Sequence, residues 1–490
     1  MTMSTPTLVT FVVYLIGMLI IGFAAYRLTD NLSDYVLGGR RLGPGVAALS
    51  AGASDMSGWL LLGLPGAMYA AGMNQAWIAV GLSIGAYLNW QFVARRLRVY
   101  TEVARDAITV PDYLENRFYD KSKALRVISA IVILVFFTFY TSSGMVAGAT
   151  LFEKSFGMDY GVALWVGAIV IISYTFLGGF LAVCWTDFVQ GLLMFAALLI
   201  VPMAVIGADG GWGATLDSVA AVDPARLDMF HDMTLFGIVS LMAWGLGYFG
   251  QPHIVVRFMA LRRSSDMPTA RLIGMTWMVL ALYGAIFTGF AGIAYFAEQP
   301  LENAETVFIT LSQVLFNPWV AGVLLAAILS AIMSTIDSQL LVSSSALTED
   351  FYKSLLRPEA SQRELVWIGR GTVVLIALIA VFMARDPDTT VLGLVAYAWG
   401  GFGAAFGPVI ILSLTWRRMT RNGALAGMIV GALTVIVWKQ IEGGIFDMYE
   451  ILPGFILCAA TIVAVSLLDR PPEQAIQSEF DTFEKTLHGR

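Results

Sequence analysis

Long apolar stretches, each close to the length of a bilayer crossing and separated by short polar breaks, recur from residue 6 to residue 468. The runs are continuous and do not alternate between apolar and polar positions, which predicts helices and not the strands of a membrane barrel. A hydrocarbon core about 30 Å thick needs roughly 20 apolar residues per helix. On that measure the chain divides into thirteen predicted transmembrane helices near 6–27, 43–70, 72–94, 126–153, 158–180, 183–207, 233–260, 272–297, 314–348, 366–384, 389–416, 423–440 and 446–468. The first run lacks a basic leader and a small-residue cleavage site, so it reads as a retained helix.

Composition strengthens this picture. The 490 residues are 58% hydrophobic and 13% charged, with mean hydropathy +0.75, values that exclude a water-soluble globular domain and imply an all-α integral membrane protein. Basic residues then set the orientation. With loops assigned alternately to the two sides, 25 of the 29 Lys and Arg residues fall on one side, leaving Lys154, Arg226, Arg385 and Lys439 on the other. That asymmetry predicts an outside N-terminus and a cytoplasmic C-terminus. Cys184 and Cys458 both fall in predicted helices, so no disulfide framework is expected. His231, His253 and His488 are scattered and offer no metal or nucleophile constellation, which argues against an enzyme. Residues 469–490 read as a polar cytoplasmic tail without a recognisable motif.

Helix-weakening residues concentrate in two spans. The second carries Gly52, Gly58, Gly63, Pro65 and Gly66, and the seventh carries "GLGYFGQP" at 245–252. These spans lie five apart, and an odd spacing reverses direction through the membrane. Spans 2–6 (43–207) and 7–11 (208–416) thus form a candidate inverted repeat, with residues 1–42 before it and spans 12–13 (417–468) after it. Interrupted helices at matching positions point to a midplane binding site in a secondary transporter. The competing reading is close packing through small faces, common in membrane helices.

An acid inside a span is a functional candidate by default. Asp55 lies in the first break; if the chain unwinds across 53–56, it caps the following half-helix by accepting the amides of Ser57 and Gly58, and capping alone is its structural reading. Unwinding also frees the carbonyls of Ala53 and Met56, hard donors suited to an alkali cation. In "LLAAILSAIMSTIDSQLLVSSS", small and hydroxyl residues recur at helical spacing, so Ser334 and Thr335 supply hydroxyls and Ala331 a carbonyl from a facing helix. Back-bonding of those hydroxyls within their own helix is the alternative. Trp59, Tyr140, Trp244 and Tyr248, with Gln251 and Pro252, suit a small solute with an apolar body whose carboxylate meets a half-helix N-terminus, though aromatics in spans also serve packing. The roles of Asp187 and Asp337 stay open on spacing alone.

Motifs over nearly the whole chain resemble the sodium:solute symporter family: "LGGRRLGP" (37–44), "LSAGASDMSGWLLLGLPGA" (49–67), "GGFLAVCWTD" (178–187), "WGLGYFGQPHI" (244–254), "MSTIDSQLLVSSSALTEDFY" (333–352), "YAWGGFGAAFGP" (397–408) and "RMTRNGALAGM" (418–428). The resemblance implies a LeuT-type five-plus-five inverted repeat with extra helices at both ends, in a bacterial cytoplasmic membrane. It also implies import of L-proline driven by sodium through alternating access, with sodium as the coupling ion and no other cofactor. By position it makes Ala53, Met56, Ala331, Ser334 and Thr335 sodium ligands, connects Asp55 with sodium binding and Asp187 with the ion's path, and links Arg40 to ion-dependent transport from the inner face. Ser57, Gly58, Trp59, Tyr140, Trp244, Tyr248 and Pro252 fall on or beside its solute positions. Asp337 departs from the enteric members of the family that this chain resembles, leaving open an altered coupling ion or stoichiometry. Another small solute, such as a different amino acid, a choline-like cation or pantothenate, is the nearest alternative. A sensor or channel on the same fold is the alternative of another class; sensor relatives carry a long C-terminal signalling domain, and about twenty polar residues follow the last span here.

Overall fold

The computed structural model describes residues 5–27, 32–175 and 179–489. Helix α1 (Thr5–Tyr26) opens the chain. The second expected span is split into α2 (Pro44–Met56) and α3 (Gly63–Ala71). Next, α4 (Ala76–Leu88) runs through π-helical Asn89–Ala94 into α5 (Arg95–Val103). Helices α6 (Ala124–Phe156), α7 (Tyr160–Thr175) and α8 (Phe180–Ala208) follow. Residues 176–178 of the expected 158–180 span, including Gly178 of its motif, lie outside the described residues.

The seventh expected span is also divided, into α9 (Leu235–Met242), a 3₁₀ stretch over Ala243–Gly250, and α10 (Pro252–Ala260). The main helices after it are α11 (Met267–Tyr295), α12 (Pro318–Ser345), α13 (Gln362–Met383), α14 (Val391–Thr415), α15 (Arg421–Trp438), α16 (Ile451–Leu468) and α17 (Gln474–Gly489). Among the described residues no β-strand forms, and a single parallel bridge joins Leu42 to Leu261. Nine helices there are long and apolar enough to cross a membrane. The other expected spans, around α2–α3, α4–α5, α7 and α9–α10, are the ones that are interrupted or short of apolar length.

Three expectations need correction. The first break does not unwind 53–56: α2 stays helical to Met56, and the chain turns at Ser57, whose φ is 50°. A side chain rarely adopts that region, at a cost of about 1–3 kcal/mol, so the surrounding structure must hold it. The 314–348 span starts at Pro318, because Asn317 caps it by accepting the amides of Trp319 and Val320 at 3.1 and 3.2 Å, and residues 307–315 form a separate helix. It continues as a π-helix to Leu356.

The third correction concerns the tail. Residues 474–489 form the amphipathic helix α17, which buries Ile476, Phe480, Phe483 and Leu487 at helical spacing. Average polarity hides such a stripe. Phe483 stacks on Tyr100 at 4.2 Å, Glu484 pairs with Arg96 at 2.7 Å, and Asp481 takes both forks of Arg417 at 2.8 Å.

Helix α8 packs against α2, α11 and α12, while α6 packs against α12 and α14. The lower half of the second broken span, α10, lies on α2, and its 3₁₀ stretch wedges between α4 and α14. That wedge needs glycine: a methyl group on Gly85 would overlap the Gly245 carbonyl, and one on Gly245 the Gly81 carbonyl. Both breaks are thereby held in the middle of the bundle.

Because a helix of this length is marginal without its packed face, Phe483→Ala should loosen α17. Truncating a buried Phe costs about 3–5 kcal/mol. Faster cleavage by a glutamate-specific protease at Glu479, with the melting of the remaining bundle unchanged, is the expected result of limited proteolysis.

Candidate ion and solute site

Where α2 ends, its last four carbonyls, those of residues 53–56, lose their partners along the helix. Two of them are met from other helices. The Ala53 carbonyl accepts the Ser334 hydroxyl at 2.8 Å and the Thr335 hydroxyl at 3.4 Å, and Ser334 Oγ lies 3.2 Å from the Ala331 carbonyl. The Asp55 carbonyl accepts the Tyr140 hydroxyl at 3.0 Å. Thus four of the five oxygens suggested for a cation, from Ala53, Ala331, Ser334 and Thr335, gather at the C-terminal end of α2, where the helix dipole favours positive charge. Met56 is buried beside them and lines the adjoining cavity. This set of neutral hard oxygens suits an alkali cation as cargo.

The Asp55 side chain does not cap the next half-helix. Ser57 does so instead, its hydroxyl accepting the Trp59 amide at 3.1 Å. Asp55 Oδ2 accepts the Tyr248 hydroxyl at 2.6 Å, which ties the first break to the second. Trp59 stacks on Trp244 with ring centroids 5.3 Å apart, and Tyr248 meets Trp399 edge-on at 5.0 Å. Trp399 Nε1 donates to the Trp244 carbonyl at 2.7 Å, satisfying a backbone group of the 3₁₀ stretch.

These rings close tightly on a cavity of only about 10 Å³, lined by Asp55, Met56, Trp59, Tyr140, Trp244 and Tyr248 together with Leu82, Val395 and Trp399. That is room for about one water molecule, so the rings must part before even a small solute can enter. Trp59 Nε1 is buried there without a hydrogen-bond partner among the described residues. The cavity therefore offers one carboxylate acceptor, an unused N–H donor and apolar faces. Leu82, Val395 and Trp399 were not singled out from sequence; the "YAWGG" stretch was the available signal for Trp399.

Several other candidates lie around this cavity without lining it. Ser57 shapes the turn, and Gly58 packs so closely on Ala147 and Ile332 that a side chain there would displace them. Gln251 is fully buried with its amide donating to the carbonyls of Gly247 and Trp399, both at 3.1 Å. Pro252 starts α10 and lines a different cavity. Arg40 sits at the face with the basic loops, pairing with Asp106 at 2.9 Å and donating to the Met259 carbonyl at 2.7 Å at the end of α10.

Asp187 is fully buried. Its Oδ2 accepts from Ser50 at 2.7 Å and from Arg257 at 3.2 Å, and Arg257 also donates to Ser338 at 2.6 Å and to the His253 carbonyl at 2.6 Å. One ion pair thereby ties α2, α8, α10 and α12 together, one helical turn beyond Ser334. Sequence reasoning counted Arg257 as a loop charge, because its place near the end of a span gave no sign of burial. Asp337 is also buried, at 1% exposure.

An all-helical membrane protein whose two broken spans pool hard oxygens, a carboxylate and aromatic rings has the makings of a solute transporter. The model of the sodium:solute symporter family matches residues 35–431. The chain is 58% identical to the sodium/proline symporter of Escherichia coli (strain K12), covering 100% of this chain and 98% of that protein. It is 54% identical to a high-affinity proline transporter of Bacillus subtilis (strain 168), with 96% and 100% covered. A Na⁺-coupled sialic acid symporter, solved in a substrate-bound outward-open state, shares the fold at a TM-score of 0.81 and 18% identity, over 96% of this chain and 99% of that one. The chain belongs to the sodium:solute symporter family.

Breaking the buried pair should be severe, since removing one partner leaves an uncompensated charge at a cost of about 3–5 kcal/mol. Asp187→Leu is expected to lower the melting temperature of the purified protein sharply, and adding Arg257→Met should restore most of the loss.

Proposed function

We propose that the chain is a secondary active symporter that imports L-proline, driven by sodium, through alternating access. The observation that carries this reading is the meeting of the two broken spans. Asp55 of the first receives Tyr248 of the second at 2.6 Å, beside the hydroxyls of Ser334 and Thr335 on the Ala53 carbonyl. Full-length similarity to relatives named as sodium/proline symporters supports the choice of ion and solute.

In this reading thirteen spans cross the membrane, those over 43–207 and 208–416 forming two inverted five-helix repeats. The N-terminus faces outward, and the C-terminus, with the basic loops, faces the cytoplasm of a bacterial inner membrane. Sodium is held by the carbonyls of Ala53, Met56 and Ala331 and the hydroxyls of Ser334 and Thr335. Its charge replaces the hydroxyl hydrogens now directed at Ala53 and fixes the end of α2.

Proline occupies the neighbouring cavity, with its ring against Trp59, Tyr140, Trp244 and Tyr248 and its ammonium toward Asp55. Ser57, Gly58, Gln251 and Pro252 hold the breaks in the shape this requires. Arg40 and Asp187 act on the ion's passage toward the cytoplasm. One charge crossing 100 mV supplies about 2.3 kcal/mol, before any concentration gradient is added.

Radiolabelled proline uptake into proteoliposomes tests the assignment. Accumulation should follow an imposed sodium gradient. Ser334→Ala and Thr335→Ala should each raise the sodium concentration for half-maximal uptake by about tenfold, the scale expected for losing one ion-directed oxygen. An unchanged sodium dependence in both variants would remove the proposed ligand set, and accumulation of a different solute with proline ignored would replace the substrate.

A further inference from the structure

A second cavity, of about 30 Å³, lies at the face carrying the basic loops, and the solute cavity does not share its lining. Pro252 and Val256 of α10, Leu341 at the end of α12, and Phe180 at the start of α8 form much of an apolar wall. Into that wall come Ser345 and Asp350, buried at 6% and 1% exposure. Ser345 Oγ and Asp350 Oδ2 have no hydrogen-bond partner among the described residues. Buried polar atoms are rarely left without a hydrogen-bond partner, whether protein, water or ligand.

The charge around Asp350 is also unbalanced. Its Oδ1 accepts from Thr109 at 3.3 Å and lies 3.6 Å from Arg126 Nη1. That guanidinium is shared with Asp112 and Glu115, so three carboxylates face one cation. Such a cluster attracts a positively charged group. Two free oxygens in an apolar wall are too few to replace the hydration shell of a bare alkali ion. They suit an organic cation with an apolar body.

We propose that this cavity, which here has room for only about two water molecules, widens as the inner face opens into a second, inner subsite for the transported amino acid, in which Asp350 Oδ2 and Ser345 Oγ receive its ammonium group while its carbon skeleton rests on Pro252, Val256, Leu341 and Phe180. The proposal rests on the reading of the chain as a sodium-coupled proline importer. The inner subsite holds solute between the midplane cavity and the cytoplasm, and gives Pro252 a place on the solute's route although it does not line the first cavity.

The test is transport by the full-length protein in proteoliposomes of sorted orientation, with proline presented to either face. Asp350→Asn should raise the cytoplasmic-side KM for proline by about tenfold, the consequence of losing a charge-assisted hydrogen bond, and leave the external KM unchanged. Ser345→Ala, which keeps the carboxylate cluster intact, should shift the cytoplasmic KM in the same direction by a smaller factor. Tetrahydrofuran-2-carboxylate, which has an ether oxygen where proline has its ammonium, serves as the second probe. The preference for proline over this analogue at the cytoplasmic face should shrink in Asp350→Asn and persist at the outer face. An unchanged cytoplasmic KM in both variants, or an equal rise at both faces, would overturn the inner subsite. Absence of sodium-driven proline uptake by the unaltered protein would instead overturn the reading beneath it.

Discussion

The end of α2 sets the constraint on which the site depends. A helix that stops inside a buried bundle leaves carbonyls out of reach of bulk water, and each unsatisfied group costs several kcal/mol. Ser57 at φ 50° makes that stop abrupt, and the freed carbonyls must be met from other helices. Ser334 and Thr335 meet Ala53, and Tyr140 meets Asp55. The break is therefore both a structural debt and a ready-made cluster of oxygens. A cation at this cluster would relieve the same deficiency that the hydroxyls now relieve.

The second break completes the arrangement from the opposite side. Tyr248 reaches Asp55 because the 3₁₀ stretch before it is pressed between α4 and α14 through glycine contacts, and Trp399 pins its backbone. Beneath it the buried Arg257–Asp187 pair joins both broken spans to α8 and α12. Any motion that opens one face must shift these contacts together. In the proposed reading the coupling of ion to solute follows from shared neighbours: Asp55 and the Ala53 carbonyl are two residues apart on one helix end.

Much of this was legible in the sequence, for physical reasons. Glycine and proline in otherwise apolar spans have few uses other than close packing or interruption, so both breaks were visible, and hydroxyls at helical spacing marked the face of α12 that meets Ala53. The turn itself was misplaced by a few residues, because a serine at positive φ carries no local signal and is imposed by packing. Capping, the structural alternative for Asp55, looked local for the same reason; its actual partner, Tyr248, lies almost two hundred residues away. Arg257 looked like a loop charge, since burial of an arginine depends on a carboxylate from another helix. Helix α17 escaped notice because its many polar residues lower the average hydropathy and mask four apolar ones that recur at helical spacing.

Alternating access requires that sodium and solute favour the same conformation, and linkage then makes their effects on each other equal. The most direct measurement is equilibrium binding of proline to the purified protein across a range of sodium concentrations, with sodium binding measured across a range of proline. The account predicts that saturating sodium tightens proline binding, and that saturating proline tightens sodium binding by the same factor. A proline affinity that does not change between zero and saturating sodium would contradict it.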